Sequence, residues 1–176
     1  EHWRPEQEIV VHSENGILGM RSLEPAESAD QEMMNAAKKP VALVPGGAYF
    51  HHADSFAMMR GGHLDYCVLG GYEVSQSGDL ANWSLGQPGV AAAVGGAMDL
   101  VVGARNVYVL MEHLTRDGSP RLVRQCHLPL TGAACVKRIY TDLGTFEVTP
   151  QGLRVLFMVD GLDRVSLTAL TDAQLV

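Results

Sequence analysis

Short apolar runs interrupted by turn residues set the pattern of the chain. Glu8 to Val11 is brief and β-branched, and Asn15-Gly16 follows it, which predicts a buried strand ending in a tight turn. Val41 to Val44 predicts a second strand, stopped by Pro45-Gly46-Gly47, and Tyr66 to Leu69 a third, running through Gly70-Gly71 into Tyr72-Glu73-Val74. Val107 to Met111 predicts a fourth. Helical spacing falls between these runs. Ser28-x-x-Gln31 resembles a capping box opening a helix through Lys38, with Ala29, Met33 and Ala37 on one face. Asp54 can cap a helix from Ser55 to Arg60, and Gly95-Gly96 leads into a helix from Ala97 to Ala104.

The last third reads differently. Asp117-Gly118 predicts a hairpin returning through Arg121 to Gln125. Pro150-Gln151-Gly152 separates Phe146-Glu147-Val148 from Arg154 to Val159, a second antiparallel pair, and Ser166 is expected to cap a closing helix. The expected fold is α/β: a mostly parallel central sheet covered by helices, with antiparallel hairpins in the C-terminal third.

Composition narrows the class. The 176 residues fit one domain spanning 1–176, with ordinary apolar (47%) and charged (19%) fractions. The net charge of −7, with no run of Lys or Arg, argues against a nucleic-acid partner. No apolar stretch is long enough to cross a bilayer, so no membrane partner is expected. Cys67, Cys126 and Cys135 form no CxxC pair, and a reduced, cytoplasmic setting is the simple expectation. The chain opens at Glu1 with a strand signal within ten residues, so its N-terminal portion is expected to be missing.

Glu14 carries the strongest chemical message. A carboxylate where a strand gives way to a loop sits at the edge where ligands bind open α/β sheets. From position alone, a solvated loop carboxylate is as good a reading. Gly95-Gly96 before a helix could aim free backbone N–H groups at an anion or at an oxyanion formed when a thioester is attacked, although paired glycines there are more often a packing device. The histidines support less. His51, His52 and His63 lack the helical spacing of a zinc protease motif, His113 and His127 have no partner at a recognised spacing, and no metal site is expected. Ser13 makes no Gly-x-Ser-x-Gly elbow, and Cys67 lies inside an apolar strand.

The chain resembles the beta subunits of family I CoA-transferases. Ser13-Glu14-Asn15-Gly16-Ile17-Leu18-Gly19 matches the signature around that family's catalytic glutamate. The likeness continues in order through Pro45-Gly46-Gly47-Ala48, Asp54-Ser55-Phe56-Ala57-Met58 and Arg60-Gly61-Gly62-His63. It extends to Gly78-Asp79-Leu80-Ala81-Asn82-Trp83, Gly95-Gly96-Ala97-Met98-Asp99-Leu100 and Pro129-Leu130-Thr131-Gly132. Within the family, residues 110–115 and 138–143 resemble the branch that acts on 3-oxoadipate, with acetoacetate-using relatives close behind.

The resemblance implies covalent, ping-pong transfer of CoA from succinyl-CoA to a 3-oxo acid through a thioester on Glu14. It implies an alpha subunit as partner, and no tightly bound cofactor, because coenzyme A enters as substrate. It places Gly95 and Gly96 at the thioester, with Lys38 and Asn15 in the same oxyanion and CoA-binding set; the alternative for Lys38 is a solvated cation at a helix end. Two departures matter. The signature continues as Gly19-Met20-Arg21-Ser22 rather than Gly-x-Gly-Pro, and residues 86–93 carry none of the lysines of the acetoacetate enzymes. A ligand-binding domain without turnover and a sugar-phosphate isomerase are the competing readings of such a fold.

Overall fold

The computed structural model describes residues 7–87, 89 and 92–176. It divides into two compact units, Glu1–Gly61 and Gly62–Val176, each of which has its own architecture.

The first unit contains β1 (His12–Ser13), β2 (Ile17–Ser22), β3 (Val41–Tyr49) and α1 (His52–Arg60). The three strands form one antiparallel sheet in the order β1-β2-β3. The strand expected over residues 8–11 does not form there: Ile9 and Val10 are 51% and 66% exposed, and pairing begins at His12. Pro45-Gly46-Gly47 does not stop β3. It fills a bulge opposite Gly19, where the register jumps between Leu18 and Met20. Close approach demands glycine there, since a Cβ on Gly47 would stand 2.9 Å from the Gly19 carbonyl oxygen and 3.0 Å from that of Leu18.

The helix expected from Ser28 to Lys38 is absent. Residues 33–41 instead form a tight hairpin, with Val41 N–H on the Met33 carbonyl (2.9 Å) and Asn35 N–H on that of Lys39 (2.9 Å). The Asn35 side chain accepts from Ala37 and Lys39 N–H (3.0 Å each), an alternative to helix that asparagine offers its own backbone. Lys38 adopts φ +58 and completes a three-residue loop, a type I turn followed by a left-handed residue. Helix α1 starts earlier than expected: His51, not Asp54, is its cap, with Nδ1 accepting from Ala53 N–H at 3.1 Å. Asp54 falls in the first turn, where its charge favours the helix dipole.

The second unit contains β4 (Tyr66–Leu69), β5 (Glu73–Ser75), β6 (Leu80–Ala81), α2 (Ala97–Gly103), β7 (Asn106–Leu110), β8 (Leu122–Val123), β9 (Val136–Tyr140), β10 (Gly144–Thr149), β11 (Gly152–Met158) and α3 (Arg164–Ala169). Its main sheet runs β11-β10-β9-β7-β4. The β4–β7 and β7–β9 pairs are parallel, and β9–β10 and β10–β11 are antiparallel. The mixed α/β class is therefore as expected, with the parallel strands in the middle of the sequence and the antiparallel hairpin in the last third. Parallel pairing does not dominate this sheet, and helical cover is slight among the described residues. A smaller sheet, β6-β5-β8, lies in the same unit.

Alternation along the main sheet places Val107, Val109, Ile139, Phe146 and Leu153 on one buried face, where Leu167 of α3 joins them. Each such side chain contributes roughly 1.5–3 kcal/mol by leaving water. Asp163 caps α3 by accepting from Ser166 N–H (2.7 Å), so Ser166 is the donor rather than the cap. Two blocks of the family resemblance are knitted together here. Thr131 Oγ1 donates to Asn82 Oδ1 (2.6 Å), and Leu80 N–H reaches the Gly132 carbonyl (2.8 Å). Asp79 gathers Ser75 Oγ, Ser77 Oγ and Ala134 N–H at 2.9–3.1 Å.

Candidate functional site

Glu14 sits at the tip of an antiparallel hairpin, in the three-residue loop Glu14-Asn15-Gly16 between paired Ser13 and Ile17. It does not follow a buried strand of an open parallel sheet, as its neighbours in sequence suggested. Gly16 N–H closes the turn on the Ser13 carbonyl at 3.0 Å. Gly16 has φ +104, and a Cβ on it would stand 2.2 Å from the Phe50 carbonyl oxygen, so only glycine fits. Glu14 itself is half-buried. Among the described residues no hydrogen bond or ion pair engages its carboxylate, which leaves both oxygens available for chemistry.

The residues on either side of Glu14 are held firmly. Ser13 is buried; its Oγ donates to Asn15 Oδ1 (2.7 Å) and accepts from Ala36 N–H (2.9 Å). Asn15 Nδ2 donates to the Met34 carbonyl (2.6 Å). The 33–41 hairpin thus grips the turn at both shoulders. From the other direction, the fully buried Ser55 of α1 lies 2.9 Å from His12 Nε2 and 3.5 Å from the Ser13 carbonyl. Burial lowers the His12 pKa, so the neutral ring is favoured in that contact.

Glu14, Asn15 and Lys38 are therefore brought into one connected structure within the first unit. Asn15 is engaged at both ends of its amide. Lys38 is exposed at the turn of the supporting hairpin, not at a helix end. Gly95 and Gly96 belong to the second unit. Gly95 has φ +57 with open space around the position of a Cβ, and Gly96 precedes the first turn of α2 without a side-chain cap. Pro88, Val90 and Ala91, in the lysine-free stretch ahead of them, lie outside the described residues. Sequence reading alone does not find Ser13, Ser55 or the Ala36 amide as part of this arrangement. Asn35 with Pro40 is the signal for the turn that carries Ala36.

The sequence matches the family described as Coenzyme A transferase over residues 4–156. It is 53% identical over 171 residues to the beta subunit of 3-oxoadipate CoA-transferase from Pseudomonas putida, covering 97% of this chain and 80% of that one. The protein of the same name from Acinetobacter baylyi is 48% identical over 97% of this chain and 79% of its own length. The beta subunit of succinyl-CoA:3-ketoacid coenzyme A transferase from Helicobacter pylori is 43% identical, over 94% and 80%. Among solved structures, the acyl-CoA transferase apoenzyme of Escherichia coli O157:H7 superposes with a TM-score of 0.71 at 17% identity, over 95% of this chain and 33% of that one. That likeness speaks for the fold.

Proposed function

The chain belongs to the Coenzyme A transferase family, and on that premise we propose that it is the beta subunit of an enzyme moving CoA from succinyl-CoA to 3-oxoadipate, with Glu14 as nucleophile. A Glu14 carboxylate oxygen attacks the thioester carbonyl, the C–S bond breaks, and CoA leaves as thiolate from a mixed anhydride. The thiolate then attacks the glutamyl carbonyl, expelling succinate and leaving CoA on Glu14 as a thioester. The acceptor acid's carboxylate attacks that thioester, and the same two steps run in reverse. One difficult exchange becomes several easier ones, with the thioester energy retained.

The observation that carries this reading is the signature turn itself: a carboxylate unengaged among the described residues, at the tip of a hairpin fixed on both sides. Gly95 and Gly96 would supply backbone N–H groups to the oxyanion, and such a donor lowers an acyl-transfer barrier by roughly 3–4 kcal/mol. Lys38 would meet a phosphate of CoA. The partner is an alpha subunit, in keeping with relatives that are each named as one subunit of their enzyme, and the setting is cytoplasmic. Among the described residues no helix is long and apolar enough to cross a membrane.

Higher identity to the 3-oxoadipate relatives (48–53%) than to the succinyl-CoA:3-ketoacid ones (42–43%) favours 3-oxoadipate over acetoacetate as acceptor. Intact-mass spectrometry of the complex with its alpha subunit, charged with succinyl-CoA, should find CoA attached at Glu14. Glu14→Gln should remove both the adduct and transfer, a loss on the order of 10⁴-fold or more. Transfer surviving in that variant, or no adduct in the wild type, refutes the reading.

A further inference from the structure

We infer that the 33–41 hairpin is the positioning element for Glu14, acting through Ser13 and Asn15. The inference rests on Glu14 being the nucleophile, and adds what sets its aim.

The polarity of the network is fully determined. Ser13 has one hydroxyl proton, and it lies on Asn15 Oδ1 (2.7 Å); its lone pair takes Ala36 N–H (2.9 Å). Turning the Asn15 amide over would set its carbonyl against that of Met34 and leave the Ser13 hydroxyl facing two donors, so only one amide orientation satisfies all three bonds. Residues 13 and 15 are thus tied at fixed points to residues 36 and 34, and the residue between them has little room to swing. Asn35 in turn locks the loop that presents Ala36, by holding Ala37 and Lys39 N–H. The same loop bears Lys38, so a cation and a carboxylate are held by one small framework.

A nucleophile misplaced by about 1 Å can lose on the order of 10²-fold in rate without losing substrate affinity. Ser13, Asn15 and the Ala36 N–H are accordingly assigned as positioning groups, not as contacts to CoA. Ala36 offers a clean test because it lies outside the signature. It is the second residue of the Asn35–Lys38 turn, a position that proline favours, so Ala36→Pro removes the N–H while suiting the turn.

The complete enzyme, this chain with its alpha subunit, would be mixed with succinyl-CoA and quenched in a single turnover, following attachment of CoA to Glu14 by mass. Ala36→Pro and Ser13→Ala should each slow attachment by about 10- to 100-fold with the KM for succinyl-CoA within about twofold. Ser13→Thr, which retains the hydroxyl, should recover most of the rate. Attachment at the wild-type rate in Ala36→Pro overturns the inference even if Ser13→Ala unfolds, and so does a loss confined to KM. Absence of the adduct in the wild type defeats the nucleophile assignment itself, a distinct result.

Discussion

Two hairpins of this chain share a backbone design and differ in what they serve. In the first unit, residues 33–41 pair Val41 N–H with Met33 O, and Asn35 N–H with Lys39 O, and turn on Lys38 N–H to Asn35 O, each at 2.9 Å. In the second, residues 113–121 repeat the pattern: Arg121 to His113 (3.0 Å), Thr115 to Ser119 (2.9 Å) and Gly118 to Thr115 (3.0 Å). Each has a bridge to a proline, Met34 with Pro40 and Leu114 with Pro120. Each has a side chain at the turn's first position that accepts from the backbone, Asn35 and Thr115.

The left-handed position separates them. Glycine occupies it in one (Gly118, φ +82), lysine in the other (Lys38, φ +58). A side chain there costs roughly 1–2 kcal/mol. The hairpin that uses glycine is anchored by His113, fully buried between Thr141 and Thr171 and against Phe146. The hairpin that tolerates lysine is anchored by polar bonds to the Glu14 turn. Backbone strain that no core packing requires is a mark of sites where a particular side chain is needed.

Truncating one side chain at the start of each hairpin should separate the two most widely. His113→Ala leaves a cavity and removes one hydrogen bond from each of two threonine hydroxyls, and should destabilise the protein by about 3–5 kcal/mol in urea unfolding. Met33→Ala, on the partly exposed hairpin, should stay below about 1 kcal/mol. Similar values for both would erase the distinction.

Acid should sharpen it. Burial lowers the His113 pKa below its ordinary 6.5, against opposing contributions from Asp142 and a Leu170 backbone contact. Thr171 Oγ1 already donates to the Leu167 carbonyl (2.7 Å), so it accepts from Nε2–H, while Thr141 Oγ1 lies 3.0 Å from Nδ1 and 3.2 Å from the Gly144 carbonyl. As pH falls below about 6.5 the unfolded chain binds a proton that the folded one resists. Stability from this group, complete above that pH, is then lost at up to roughly 1.4 kcal/mol per pH unit until the folded-state pKa is reached. His113→Asn should flatten that part of the pH–stability curve. An unchanged slope would mean that His113 binds its proton equally well in the folded and unfolded chain. The half-buried His12 shifts in the same direction and contributes its own share.

The smallest effect tests the turn position itself. Gly118→Lys should destabilise by about 1 kcal/mol, and Lys38→Gly should stabilise by up to a similar amount while raising the KM for acyl-CoA. Stabilisation with no change in KM would leave the lysine without a role in CoA binding.

What could be read from the sequence follows the range of the interactions. Strands β4 and β7, helix α2 and the β10–β11 hairpin depend on local alternation, caps and turn residues, and they appear within a residue or two of expectation. Glu14 is legible because its signature is contiguous. Its support is not, because Asn15 meets Met34 and Ser13 meets Ala36 across 19 and 23 residues. The helix expected over 28–38 fails for the same reason: its spacing is helical, yet Asn35 offers a turn that tertiary contacts reward. Strand β2 hides behind its glycines, and the apolar Ile9 and Val10 mislead by remaining exposed.

One feature of the Glu14 turn bears on chemical durability. An asparagine before a glycine is prone to cyclise, its side-chain carbonyl carbon attacked by the following amide nitrogen, and to open again as aspartate or isoaspartate. Here that nitrogen is committed to the Ser13 carbonyl, and the Asn15 amide is fastened at both ends. Ring closure would have to break all three bonds, so the folded turn shelters Asn15 from ageing. Each excursion that opens the turn exposes Asn15 to a lesion that would set a second negative charge next to Glu14.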